Sequence, residues 1–189
     1  EDGSAMFKVP ANTPISLQPL DSDGKALQLM RSWMTAMPGE VVSCVGCHAR
    51  QNSTVPSQQT IAATKTPSEI KPWLGPTRGF SYPREVQPVI DKYCLACHNG
   101  KPQSDSAEIL DLRGNVAIKS FAMRTPGNGG GRGGKFSVGY ANLHKYVRRP
   151  GIESDYHMLT PMEFHADTTE LVQLLTKGHY NVKLDRDAW

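Results

Sequence analysis

Two short cysteine–histidine motifs carry the clearest chemistry in this sequence. Cys94, Cys97 and His98 form a Cys-x-x-Cys-His motif, which is the attachment signature of a c-type haem. Two intervening residues let both sulfurs form thioether bonds with the two vinyl groups of one porphyrin. The histidine that follows can then bind the iron as its proximal ligand.

The same motif occurs earlier in the chain, at Cys44, Cys47 and His48, and the two motifs together contain all four cysteines. This predicts two covalently bound c-type haems. Zinc is the main competing metal, but zinc ribbons place their cysteine pairs about 15–20 residues apart. A redox dithiol of the thioredoxin kind would need a βαβ context, which this sequence does not predict. Neither alternative explains a histidine after both pairs, so we favour haem and expect no zinc.

We expect the distal ligand of the second haem to be one of the other four histidines, all of which follow the second motif. The first choice is His179, because it follows a predicted helix end at Lys177-Gly178 that can hold a side chain rigidly. The alternatives, in order, are His165, His157 and His144. Met158 and Met162 are rival ligands that would give a higher reduction potential than bis-histidine ligation.

The first haem has no distal histidine near it in the sequence. A late histidine could fold back to it, a methionine could bind it, or the sixth position could stay open. An open iron would allow chemistry, whereas a closed one would only pass electrons. Arginines that could pair with haem propionates are Arg31, Arg113, Arg148 and Arg149.

Composition agrees with a protein that wraps large prosthetic groups. Of the 189 residues, 38% are hydrophobic and 7% are aromatic, which is low for a core made of protein alone. The formal charge of +3 would fall near neutrality once four propionates and two ferric centres are added, so we expect no nucleic-acid partner. No apolar run approaches the ~18 residues of a membrane span. Because haem is normally attached after export, we expect an exported segment in the periplasm or an equivalent compartment.

The predicted fold is mixed and mainly α, with much irregular structure. Alternating apolar residues and a turn at residues 21–24 predict a small antiparallel β unit within residues 1–35. Cytochrome c-like helical haem domains should follow, with a helix from Ser81 to the second motif and another beginning near Glu170. We predict two domains, residues 1–79 with the first haem and residues 80–189 with the second.

Several runs resemble the haem-bearing C-terminal half of the hydrazine synthase alpha subunit and related exported proteins of planctomycete type. They are residues 2–11 (DGSAMFKVPA), 27–33 (LQLMRSW) and 38–48 (PGEVVSCVGCH). Residues 83–100, which begin PREVQP and end HNG, and residues 110–114 (LDLRG) resemble the second cytochrome domain of that family. The resemblance implies an open, catalytic first haem and a bis-histidine second haem that carries electrons. In that family a tyrosine one turn after the first motif binds iron and the motif histidine turns to zinc. The matching position here is Asn52, so we expect His48 to bind iron itself.

These observations favour a dihaem c-type cytochrome module that transfers electrons within a larger exported redox protein. Its partner would be a redox protein or another domain of the same polypeptide. The alternative is an oxidoreductase domain whose open first haem acts on a small nitrogen compound, as in hydrazine synthase, or on peroxide.

Overall fold

The computed structural model of the chain describes residues 2–44, 59–72, 75–102, 109–118, 136–149 and 159–189. The chain forms two compact units. The first unit comprises Glu1–Pro19 and Leu29–Arg78, and the second comprises Leu20–Gln28 and Gly79–Trp189. The two predicted haem domains stay a prediction, since spatial compactness alone does not define a haem-binding domain.

The predicted N-terminal antiparallel β unit is wrong, because the described residues form isolated β-bridges and no strand. Ile15 pairs with Met34 through two backbone hydrogen bonds of 2.9 and 3.0 Å. The pairing does not extend, since the N–H of Leu17 donates to Sδ of Met30 at 3.3 Å instead of to a carbonyl. Pro14, on the other side of Ile15, has no N–H to donate.

The alternation around Phe7 also does not produce a hairpin. Phe7 instead forms a parallel bridge with Ser68, flanked by backbone hydrogen bonds from Lys8 and to Met6. The Phe7 side chain is 39% exposed, so the alternation gives an extended segment without a buried face.

A mainly helical, cytochrome c-like fold is also not what the described residues show. They contain three short α-helices: α1, Gln87–Tyr93; α2, Val138–Leu143; and α3, Glu170–Lys177. Single turns of 3₁₀-helix lie at Ala62–Thr64, His144–Tyr146 and Ala166–Thr168. Helices this short are not stable alone, so their positions depend on tertiary contacts.

The helix before the second motif has an irregular start. A π-helix, Tyr82–Val86, leads into α1, and the N–H of Gln87 donates to the carbonyl of Tyr82. Pro88 explains this irregularity, because it has no N–H to offer and its ring clashes with the carbonyl four residues earlier. The wider π turn relieves that conflict, and α1 then runs regularly to Tyr93.

The core of the second unit is small and lies beside the second motif. Three residues are buried together: Ile90 of α1, Leu143 of α2, and Leu112 from the segment between these helices. Cys94, directly after α1, and Leu171 of α3 pack against them. Only six apolar side chains are buried among all the described residues: Ala36, Ala62, Ile90, Leu112, Leu143 and Leu159. The core therefore connects all three helices but leaves much apolar surface exposed. No described helix is long and apolar enough to cross a membrane.

Candidate haem site

The second motif is a tight turn at the end of α1. The N–H groups of Cys97 and His98 both donate to the carbonyl of Cys94, at 3.2 and 2.9 Å. This turn keeps the two thiols and the imidazole on neighbouring positions, as attachment to a single porphyrin requires. Cys94 is half-buried and Cys97 exposed, and burial raises the pKa of the Cys94 thiol.

Hydrogen bonds with the backbone of Leu110 and Leu112 fix the position of His98. Its Nδ1 lies 2.9 Å from the carbonyl oxygen of Leu110. A carbonyl only accepts, so Nδ1 carries the proton and Nε2 keeps its lone pair. The N–H of Leu112 also donates to the carbonyl of His98, at 2.9 Å. Metal-binding histidines are commonly held in this way, with the second nitrogen fixed by a carbonyl.

His179 faces His98 from the end of α3. The two ring centroids are 6.0 Å apart and the ring planes differ by 31°. Gly178, with φ of +104°, ends the helix; this backbone conformation is rarely open to other residues. The predicted helix end and the placement of the histidine directly after it are therefore both present.

The separation of these two rings equals that expected for two imidazoles bound to one metal ion. An imidazole–metal bond is about 2 Å long and a ring nitrogen lies about 1.1 Å from its centroid, so two trans imidazoles have centroids roughly 6 Å apart. The porphyrin itself supplies four of the six iron ligands, which leaves two for the protein. The described residues contain no cluster of three or more His, Cys, Asp or Glu side chains suited to a metal, but a haem needs only this pair.

Space is present beside His179 as well. An open depression of about 400 Å³ borders His179 and is lined by α3, including Gln173, Leu174 and Lys177. Tyr180 contacts His179 edge-on, with centroids 4.9 Å apart. Two cysteines for the thioether bonds and two histidines for the iron form a donor set that fits the haem that the motif implies.

His165, the second choice for a distal ligand, uses both of its ring nitrogens within the protein. Its Nε2 lies 3.0 Å from Oδ2 of Asp21 and so donates to it. Its Nδ1 accepts from the N–H of Asp167 at 3.2 Å. The side chain is only 4% exposed. This arrangement gives His165 a structural role, and it lowers the pKa of the Asp21 carboxyl through the same hydrogen bond.

The remaining candidates are less well placed. His144 is half-buried beside Tyr140, with centroids 5.5 Å apart, and burial together with nearby Arg149 lowers its pKa. Met162 is 43% exposed. His157 and Met158 lie outside the described residues.

The first motif lies mostly outside the described residues, which include Cys44 but neither Cys47 nor His48. Cys44 is exposed. A turn leads towards it, in which the N–H of Glu40 donates to the carbonyl of Met37 at 3.1 Å. Gly39 supplies the positive φ of +75° that this turn needs. Apolar residues in the segment before Cys44 are strongly exposed, with Trp33 at 70% and Val41 at 79%.

Of the arginines considered for propionates, Arg113 already has a carboxylate partner. Its Nη2 lies 2.7 Å from Oδ2 of Asp111 and its Nε lies 3.0 Å from Oδ1. Arg148 lies over the ring of Phe164, 5.7 Å from its centroid. Pairing with a propionate stays a prediction for all four.

Sequence reasoning missed a contact that borders this site. Asp185 binds both Lys92 and Tyr93, the last two residues of α1. No sequence pattern indicated it, because the partners are more than 90 residues apart in the chain and the carboxylate lies in an irregular segment.

Comparison with known proteins relates the start of the chain to a redox enzyme. Residues 1–49 match the family model described as the hydrazine synthase alpha subunit middle domain. No curated protein and no solved structure matches the chain.

The match differs from the predicted resemblance in two respects. It is to the middle domain rather than the C-terminal half, and it ends just after the first motif. It supports a relation to hydrazine synthase and, with it, a redox or haem-enzyme context. The likeness of later residues to a second cytochrome domain stays a prediction.

Proposed function

We propose that this chain binds two c-type haems and transfers electrons through them. The second haem would be attached to Cys94 and Cys97, with His98 and His179 as its two iron ligands. The first would be attached to Cys44 and Cys47 with His48 as ligand. The observation that supports this best is the pair of facing imidazoles at 6.0 Å.

The side chains around the second haem suit electron transfer better than catalysis. When bound, haem supplies a reversible one-electron couple at its iron. The Leu110 carbonyl would hold His98 in one tautomer, and α3 with Gly178 would hold His179. Two fixed imidazoles change little between oxidation states and leave no position for a substrate. Two histidine ligands also favour a lower potential than a histidine–methionine pair.

The test is the ligation of the second haem in the chain expressed with haem maturation. A pyridine haemochrome assay should show two c-type haems per chain. His179→Gly should convert one of them from low-spin to high-spin, and added imidazole should restore the low-spin spectrum. Spectra that do not change with His179→Gly, or an assay without c-type haem, would refute the proposal.

A second candidate function is supported by the match of residues 1–49 to hydrazine synthase. In that case the first haem is an open catalytic site that acts on a small nitrogen compound or on peroxide, and the second haem supplies its electrons. The test is binding of carbon monoxide or nitric oxide by the reduced wild-type chain. One ligand bound per chain at the first haem supports the enzyme, and no binding leaves only electron transfer.

Both functions need the chain outside the cytoplasm, and we propose an exported location in the periplasm or an equivalent compartment. The proposed partner is a redox protein or another domain of the same polypeptide. Detection of the haem-loaded protein in an extracytoplasmic fraction of its source cells would test this location.

A further inference from the structure

The segment that follows His179 is attached to the end of α1. The Tyr93 hydroxyl donates to Oδ2 of Asp185 at 2.6 Å. The Lys92 ammonium lies 2.9 Å from the same oxygen, and 4.6 Å from the centroid of the Tyr93 ring. We call these three residues, Lys92, Tyr93 and Asp185, the Asp185 clasp.

The clasp connects the two parts of the chain that would hold the haem. Tyr93 is the residue directly before Cys94, and Asp185 lies six residues after His179. On the other side of His179, α3 is attached to the core through Leu171. His179 thus lies in a loop whose two ends are fastened to the elements around the second motif.

The loop between these ends has a backbone that needs support. Tyr180 and Asn181 both have positive φ, +43° and +64°. Side chains make this left-handed region unfavourable, particularly for a residue as large as tyrosine. Such conformations persist when the surrounding contacts hold them. The Val182 N–H also donates to the carbonyl of His179 at 2.9 Å, so the turn is closed directly on the histidine.

The two contacts of the clasp differ in expected strength. The ion pair of Lys92 with Asp185 is exposed on both sides, at 63% and 54%, and such pairs contribute little. The short hydrogen bond from the phenol to the carboxylate is charge-assisted and therefore stronger. Tyr93 should thus matter more than Lys92.

We propose that the Asp185 clasp is a positioning device that keeps the His179 imidazole opposite His98 and so controls access of small ligands to the second haem iron. The inference rests on the proposed function. With the clasp closed, His98 and His179 would both bind the iron. With it open, the turn at Tyr180 and Asn181 would relax and His179 would move away, so that a small ligand could bind instead.

The test measures carbon monoxide uptake by the reduced chain and the low-spin signal of the oxidised chain, both with the haems in place. The variants are Asp185→Ala, Tyr93→Phe and the two combined. The expected result is a roughly tenfold rise in the fraction of second haem that binds carbon monoxide, the size of effect given by loss of one hydrogen bond to a charged group. The double variant should show no further rise, because both changes remove the same contact.

Two controls separate positioning from general damage. Asp187→Ala removes an exposed carboxylate from the same segment and should leave both measurements unchanged. Added imidazole should return the clasp variants to the low-spin state, as it should for His179→Gly. Tyr93→Phe keeps the aromatic ring and so tests the hydroxyl without removing packing.

The outcomes distinguish this inference from the proposed function. Suppose that Asp185→Ala and Tyr93→Phe behave like wild type while His179→Gly exposes the iron. The positioning role of the clasp is then refuted, and ligation by His98 and His179 stands. If His179→Gly also leaves the iron closed, the proposed function fails with it.

Discussion

The imidazoles of His98 and His165 differ in what their hydrogen bonds leave available. In His98, Nδ1 donates to the Leu110 carbonyl and Nε2 keeps its lone pair for a metal. In His165 both nitrogens are used, by Asp21 and by the N–H of Asp167. The two rings therefore have different roles, although the sequence alone does not distinguish one histidine from the other. The same contrast favours His179 over His165 as the distal ligand.

At His165 we predict a loss of stability without a change at the haem. Replacing it by alanine leaves Oδ2 of Asp21 without the His165 donor and opens a space in a buried position. His165→Ala should lower the free energy of unfolding by about 1–3 kcal/mol. Chemical denaturation measures this, while the low-spin spectrum should stay at wild-type strength. A high-spin spectrum in this variant would show that His165, not His179, binds the iron.

At Asp185 we predict a distinctive response to acid. Hydrogen bonds from Tyr93 and Lys92 and from the N–H of Ala188 hold the pKa of this carboxyl at about 2, below its ordinary value of 3.8. A pKa that is lower in the folded state stabilises that state above the unfolded pKa, and this contribution disappears as the pH falls through the folded value. The low-spin signal should thus be constant between about pH 5 and 8 and should decline between about pH 4 and 2. In Asp185→Ala this acid-dependent step should be absent, and its persistence would assign it to another group.

At the scale of elements, the C-terminal ends of α1 and α3 position the residues of the site. The end of α1 gives the turn of the second motif, and the end of α3 gives His179 through Gly178. Neither helix exceeds eight residues, so each depends on contacts with the other elements. The shared core of Ile90, Leu112 and Leu143 supplies these contacts. A disturbance at a helix end should therefore alter iron ligation before it unfolds the unit.

A substitution at Gly178 would disturb the end of α3 without a steric clash and so tests whether the helix end controls iron ligation. Its φ is +104°, and a Cβ added there would meet no atom within 4 Å. Gly178→Ala should therefore act through the backbone alone, at a cost of about 1–3 kcal/mol. We expect a larger high-spin fraction at the second haem, measured by optical and electron paramagnetic resonance spectra. The matched control is Gly79→Ala, which has no positive φ and also open space. Equal spectra for the two variants would contradict a special role for Gly178.

At the scale of the whole molecule, local features were predictable from the sequence and distant ones were not. The motif turn, the helix end at Gly178 and the turn at Gly39 follow from residues close together in the chain. The predicted β unit does not form, because the Leu17 N–H donates to the sulfur of Met30 instead of to a carbonyl. The roles of His165 and Asp185 depend on partners 144 and 92 residues away, which a single sequence does not pair.

The small core predicts that the second unit needs its haem to fold cooperatively. Few apolar side chains are buried among the described residues, and burial of apolar surface is the main source of folding stability. A porphyrin attached at Cys94 and Cys97, next to the core of Ile90, would add a large apolar surface there. Replacing both cysteines by alanine should thus abolish cooperative thermal unfolding of residues 79–189 and their protection from hydrogen exchange. Replacing Cys44 and Cys47 instead should leave that protection in place. If protection of residues 79–189 survives without the second haem, the polypeptide core is sufficient and the haem is not a structural part of this unit.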